Sequence, residues 1–157
     1  MYDKILLAID DSKASEKAIE RALEFKKNFK TEITAFHSIE HHMIPKEIPL
    51  TVPFQNANSF TIPPTSYREI KGAYEAKGEK ILNNAQMVFK EEGLNLETHL
   101  VTGKEPADYI EEVVERENFN LVIMGHRGSH SKLEDIFLGS VAKKVLESVE
   151  CDVLIIK

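Results

Sequence analysis

Three short aliphatic runs, Lys4–Ile9 (KILLAI), Asn120–Met124 (NLVIM) and Val153–Ile156 (VLII), constrain this chain more than anything else in it. Their apolar residues are continuous rather than alternating. Strands that read this way have both faces covered, as in parallel sheets. Two weaker candidates lie between them, Glu32–Ile39 (EITAFHSI) and Leu94–Val101 (LNLETHLV). The second puts Leu94, Leu96, Thr98 and Leu100 on one face and Asn95, Glu97 and His99 on the other. One-sided burial of that kind fits a strand near a sheet edge. Helical periodicity fills the gaps. Ala14, Ala18, Ala22, Phe25 and Phe29 follow an Asp10-Asp11-Ser12 group able to cap a helix. A long amphipathic segment from about Tyr67 to Glu92 carries Ile70, Tyr74, Ile81, Ala85 and Val88 or Phe89, with Gly93 at its C-cap. A third helix opens at Pro106 and uses Ile110, Val113 and Val114; a fourth follows Gly139-Ser140 with Val141, Ala142, Val145, Leu146 and Val149. Strand and helix alternate throughout, which implies an α/β sandwich around a mostly parallel sheet with right-handed crossovers. The 157 residues make one domain, 1–157. One stretch breaks the rhythm: a loop at about 42–66 holds five of the six prolines. A loop this long inside a compact domain is functional or mobile.

Charge and composition exclude several classes of partner. Twenty basic against 26 acidic side chains give a formal charge of −6. A general nucleic-acid or anionic-membrane binder needs a basic face instead, so neither partner is expected. No apolar run approaches the roughly 20 residues of a membrane helix. Cys151 is the single cysteine and cannot form an internal disulfide, which fits a reducing compartment. Met1-Tyr2-Asp3-Lys4 runs straight into a strand with no secretory signal pattern. The expected location is the cytoplasm.

In open α/β sheets ligands bind beyond the carboxyl ends of the strands, where the strand order reverses. Three segments qualify: Asp10-Asp11-Ser12, Gly125-His126-Arg127-Gly128-Ser129 and Gly139-Ser140. Gly125 and Gly128 allow a tight turn and close approach to an anion. Gly139 and Ser140 offer free amide donors, a hydroxyl and the positive end of a helix dipole, and Arg127 adds a fixed charge. Together these make a phosphate cradle. His37, His41 and His42 do not assemble a zinc set, for want of a fourth ligand. His126 and His130 read as solvated loop histidines, and Cys151 as packing.

The tail is more specific. Met124-Gly125-His126-Arg127-Gly128, then Leu133, Ile136, Leu138-Gly139-Ser140-Val141, Val145-Leu146 and Val153-Leu154-Ile155-Ile156 resembles the signature of the universal stress protein family. Its ATP-binding branch carries a G-x2-G-x9-G-[ST] motif. Lys4–Asp10 followed by Ser12 is similar to the family's opening strand and helix, and Val101-Thr102-Gly103 with Pro106 and Ile110 to its third-strand exit. The resemblance covers essentially the full chain. It implies an open five-stranded parallel sheet of order 3-2-1-4-5 with helices on both faces, adenine nucleotide alpha hydrolase-like, and ATP, with Mg, across the ends of strands 1 and 4. On that resemblance Ala8, Ile9 and Asp10 border the adenosine, Asp10 as the ribose- or metal-side carboxylate, and Ser38 holds adenine through its backbone. Met124, Gly125, Arg127, Gly128, Gly139, Ser140 and Val141 line ribose and phosphates. This chain departs from the pattern in having ten residues, not nine, between Gly128 and Gly139. His126 stands where a small hydroxyl residue is usual, and Asp152 where proline is common. The Gly103–Pro106 spacing is also one residue longer than in the family pattern.

The leading expectation is therefore an ATP-binding stress-response sensor or regulator, at most a slow or partner-stimulated ATPase. No Walker A lysine pattern is present, and no set of base, nucleophile and metal ligands assembles. The alternative is a non-nucleotide-binding member of the family acting as a dimeric interaction module, with a protein partner still unknown. A phosphoacceptor receiver domain shares an acidic pair after strand 1 but needs an aspartate ending strand 3, where this chain has Leu100-Val101-Thr102. Adenylate-transfer chemistry lacks a supporting motif. In the 3-2-1-4-5 order Val153–Ile156 lies at a sheet edge, and an apolar, uncharged edge invites an edge-to-edge homodimer.

Overall fold

A computed structural model of the chain describes residues 2–39, 47–49, 59–61, 64–126 and 138–157. Strands β1 (Lys4–Ala8), β2 (Glu32–Ile39), β5 (Glu97–Thr102), β6 (Leu121–Gly125) and β7 (Asp152–Ile156) form one all-parallel sheet of order β5-β2-β1-β6-β7. Counting only these five, the order is the expected 3-2-1-4-5. Two three-residue strands, β3 (Glu47–Pro49) and β4 (Ser59–Thr61), pair antiparallel with Ile48 opposite Phe60. They lie inside the proline-rich stretch, so part of that loop is a small ribbon. Residues 40–46, 50–58 and 62–63 of it lie outside the described residues.

Central strands are aliphatic throughout because helices cover both sides. Ile5, Leu6 and Leu7 have no exposed surface, and Leu121–Met124 are equally enclosed. Strand alternation then divides the core. Ile5, Leu7, Ile9, Ile33 and Ala35 face α1 (Lys13–Asn28) and α2 (Pro64–Glu91). Leu6, Phe36, Val122 and Met124 face α3 (Pro106–Glu117) and α4 (Ser140–Ser148). The edge strands are less enclosed, as the one-sided pattern of 94–101 predicts for β5. In β7, Val153–Ile156 are only half-buried, because a last strand has a neighbour on one side.

Helix ends follow their sequence signals. Ser12 caps α1 by accepting from the Ser15 amide at 3.1 Å. Gly93 ends α2 at φ +71°, and Leu94 N–H returns to the Phe89 carbonyl at 3.0 Å. Pro106 stands at the start of α3. Lys144 of α4 donates to Asp108 of α3 at 2.5 Å, and that carboxylate holds its ammonium above the ordinary lysine range. Three apolar expectations differ in detail. Phe29 is 42% exposed because α1 stops at Asn28 and Phe29 is its extended C-cap. Ile70 and Leu146 are also exposed, at 36% and 48%: no residue of α2 from 66 to 77 is buried, and Leu146 lies beside the face of α4 that buries Ala142 and Val145. The long helix starts at Pro64, three residues before the periodicity becomes readable.

Candidate functional site

The sheet order reverses between β1 and β6, whose immediate continuations point to opposite edges. Hence the carboxyl ends of β1 and β6 flank the switch-point crevice. β1 ends at Ala8, paired with Met124 of β6 and with Phe36 of β2. The ladder persists one bond further, from Ile9 N–H to the Phe36 carbonyl at 3.0 Å.

Beyond that bond the backbone is steered by side chains. The Ile9 carbonyl and the Asp10 N–H belong to one peptide group. His37 Nδ1 lies 2.8 Å from that carbonyl, and since a carbonyl only accepts, Nδ1 carries the proton. The Asp10 N–H donates to Ser15 Oγ at 2.9 Å. Asp10 Oδ1 in turn accepts from Ser12 N–H at 2.9 Å. The result is a variant of the capping box. Ser15, three residues into the cap, reaches past Ser12 to the Asp10 amide, and Asp10 itself satisfies the Ser12 amide. Asp11 is ion-paired with Lys77 of α2, so the long helix is fastened to this turn.

On the β2 side Ser38 is buried, and its hydroxyl donates to the Lys104 carbonyl. Gly103, at φ +74°, donates its amide to the Ile39 carbonyl at 2.9 Å. These two bonds hold the β5–α3 turn against the end of β2 and form the other wall of the crevice.

On the β6 side His126 organises three elements. Its amide donates to the Ile156 carbonyl at 2.8 Å, and its own carbonyl accepts from Gly139 N–H at 2.8 Å. The ring Nδ1 lies 3.3 Å from the same Ile156 carbonyl. His126 is therefore half-buried and bonded, not a solvated loop histidine. The expectation that Gly139 offers a free amide is likewise corrected: that amide ties α4 to the exit of β6. Ser140 and Val141 begin α4, and the first intrahelical bond is from Lys143 N–H to the Gly139 carbonyl at 3.0 Å. The first-turn amides of Ser140, Val141 and Ala142 precede that bond and have no acceptor within the helix. Arg127, Gly128, His130, Leu133 and Ile136 lie outside the described residues, and with them the one-residue-longer loop.

The structure thus brings Ala8, Ile9, Asp10, Met124 and Gly125 to one pole, with Ser38 on one flank and Gly139, Ser140 and Val141 on the other. Cys151 sits apart at the start of β7, partly buried in the α3/α4 core, and burial pushes its thiol above the ordinary cysteine range. Among the described residues no group of three or more His, Cys, Asp or Glu side chains has metal-binding geometry. No helix among them is long and apolar enough to cross a membrane.

The sequence reading missed Gly78. A Cβ there would fall 2.6 Å from Leu100 Cδ1 and 2.9 Å from His37 Cδ2. Glycine lets α2 approach the ends of β2 and β5 this closely without displacing either side chain. An isolated glycine inside a helical period was the only signal, and it does not separate Gly78 from Gly72, whose Cβ would meet nothing within 4 Å.

Comparison with known proteins agrees with this layout. The sequence profile of the universal stress protein family matches residues 1–157. Universal stress protein YxiE of Bacillus subtilis is 32% identical over 157 residues, covering all of both chains. The solved structure of the MJ0577 protein of Methanocaldococcus jannaschii superposes with a TM-score of 0.79 at 25% identity, over 100% of this chain and 96% of that one. A universal stress protein from Archaeoglobus fulgidus, solved in complex with dAMP, shares the fold with a TM-score of 0.64 at 21% identity, covering 99% and 98% of the two chains. The profile over the whole chain and the full-length identity to YxiE agree, and the chain belongs to the universal stress protein family.

Proposed function

We propose that the carboxyl pole of β1 and β6 binds an adenine nucleotide, ATP with Mg, and that the protein is a nucleotide-dependent stress-response sensor or regulator. The observation that carries this reading is the Gly139-to-His126 bond, which seats the N-terminus of α4 directly beside the exit of β6. First-turn amides and a helix dipole then face the crevice that Asp10 borders from β1, a donor set suited to phosphates opposite a carboxylate suited to ribose hydroxyls. Ala8, Ile9, Asp10 and Ser38 form the adenosine side. Met124, Gly125, Arg127, Gly128, Gly139, Ser140 and Val141 form the ribose–phosphate side. The dAMP bound to the Archaeoglobus protein of the same fold supports the ligand class. Among the described residues Asp10 is the carboxylate that would hold Mg at this pole, since Asp11 is engaged by Lys77.

The test is to denature freshly purified protein, chromatograph the released small molecules, and titrate the emptied protein with Mg-ATP by calorimetry. Co-purified adenine nucleotide or micromolar binding is the expected result. Gly139 has φ −64° and ψ 154°, angles open to any L-residue. Gly139→Val should therefore keep the fold while binding at least about tenfold more weakly, a loss of roughly 1.4 kcal/mol. No released nucleotide and no heat of binding would overturn the reading in favour of an interaction module without nucleotide.

We further propose a homodimer joined through β7. The Ile156 carbonyl points toward β6, where it accepts from His126. Peptide groups alternate along a strand, so the N–H and carbonyl of Ile155 point to the open edge. Ile155→Pro removes an edge donor without removing a bond to β6, and should convert the dimer to monomer at unchanged secondary structure. Sedimentation velocity decides it; a dimer of wild-type affinity would place the interface elsewhere.

A further inference from the structure

The Ile9–Asp10 peptide group is gripped from both sides by side chains of different elements. His37 of β2 donates to its carbonyl at 2.8 Å, and Ser15 of α1 accepts from its N–H at 2.9 Å. Both jaws are themselves held. Ser15 is 1% exposed, and its amide donates to the Ser12 cap. The His37 ring packs so closely on α2 that a Cβ at position 78 would fall 2.9 Å from its Cδ2. The torsions on either side of a peptide plane set where the next side chain points. Fixing the Ile9–Asp10 plane therefore fixes the direction in which Asp10 leaves β1, and Asp10 Oδ1 is then locked by the Ser12 amide.

We infer that His37 and Ser15 are positioning residues for the nucleotide crevice: they clamp the Ile9–Asp10 peptide so that Asp10 is oriented before ligand arrives. The inference rests on the nucleotide reading above and adds to it two residues that touch no ligand. It also gives His37 a defined state, with the proton on Nδ1. A clamp of this kind lowers the ordering cost of binding, since the loop need not be immobilised when ligand enters. Removing either jaw leaves a half-buried backbone group without its partner, a change that corresponds to about tenfold in an equilibrium constant.

The experiment compares wild type, His37→Leu, His37→Asn and Ser15→Ala. Each is titrated with Mg-ATP by calorimetry, and each nucleotide-free protein is followed by amide hydrogen exchange at Asp10. His37→Leu fills similar space without a donor. Asn carries an amide nitrogen the same number of bonds from Cα as Nδ1. His37→Leu and Ser15→Ala should bind Mg-ATP about tenfold more weakly and exchange the Asp10 amide at least about fivefold faster, whereas His37→Asn should stay within about threefold of wild type in both. Should His37→Leu fail to fold, Ser15→Ala, a one-atom deletion, carries the same test. Wild-type binding retained in both His37→Leu and Ser15→Ala overturns the clamp and leaves the nucleotide reading standing. Failure of Asn to rescue shows that the ring acts by packing alone, and overturns it too. No uptake of Mg-ATP by wild type itself overturns the nucleotide reading, and the clamp's role in binding with it.

Discussion

Phe36→Ala should lower the free energy of unfolding by about 3–5 kcal/mol, against a total of roughly 5–15 kcal/mol for a domain of ordinary stability. Phe36 is 1% exposed on the α3/α4 side of β2, and its ring lies 4.6 Å from that of Tyr109 at 50°. Truncation removes the aromatic contact and leaves a void between sheet and α3 that neither rigid neighbour can collapse to fill. The damage extends past the core. Tyr109 holds its hydroxyl 3.2 Å from His99 Nδ1, and His99 Nε2 lies 3.1 Å from Glu97. The void therefore loosens the chain that braces the β5 edge. Phe36→Leu keeps most of the volume and should cost only about 1 kcal/mol. Urea midpoints for the two variants measure the difference. Equal, small losses would show that α3 moves in to close the gap.

Two glycines of the same helix should respond in opposite directions. Gly72 lies in the interior of α2, and a Cβ placed on it would meet nothing within 4 Å, so Gly72→Ala should stabilise by about 1 kcal/mol through helix propensity alone. Gly78→Val should destabilise by about 2 kcal/mol, because its methyl groups meet Leu100 and the His37 ring. Leu100 can rotate its chain end away, but the ring yields only by tilting off the Ile9 carbonyl. Gly78→Val should thus also weaken Mg-ATP binding, whereas Gly72→Ala leaves it unchanged. In thermal melts the pair should separate, one melting roughly 2–4 °C above wild type and the other roughly 4–8 °C below. A neutral Gly78→Val would mean that α2 shifts away from the sheet without effort.

What could be read in advance divides along physical lines. Continuous aliphatic runs in 4–9 and 120–124 announce strands covered on both faces, because they bury every residue in succession and are too short for a buried helix. Leu96 buried beside exposed Glu97 equally announces an edge. Caps at Ser12 and Gly93 and the proline opening α3 were legible because their chemistry is local. The Asp10 end of β1 and the Gly139-Ser140 start of α4 were legible for the same reason, each following directly from a strand end or a helix start. Contacts distant in sequence were not. Nothing in the neighbourhood of His37 says that its ring will meet the carbonyl of Ile9, 28 positions away. Nothing near Gly139 says that its amide is taken by the carbonyl of His126. A free helix terminus and a stapled one have the same sequence. The register of β1 against β2, Ala8 opposite Phe36, decides that His37 meets Ile9, and register is a property of the whole sheet.

His126 carries that lesson into function. Its amide grips the last carbonyl of β7 while its carbonyl grips Gly139, the cap of α4. The outer edge of the sheet and the proposed anion-binding helix end are thus two levers on one pivot. If a nucleotide draws the start of α4 inward, the strain reaches Ile156, the residue beside the open rim where a second chain would pair. Energy conservation then makes the traffic two-way: whatever factor occupancy lends to self-association, self-association returns to occupancy.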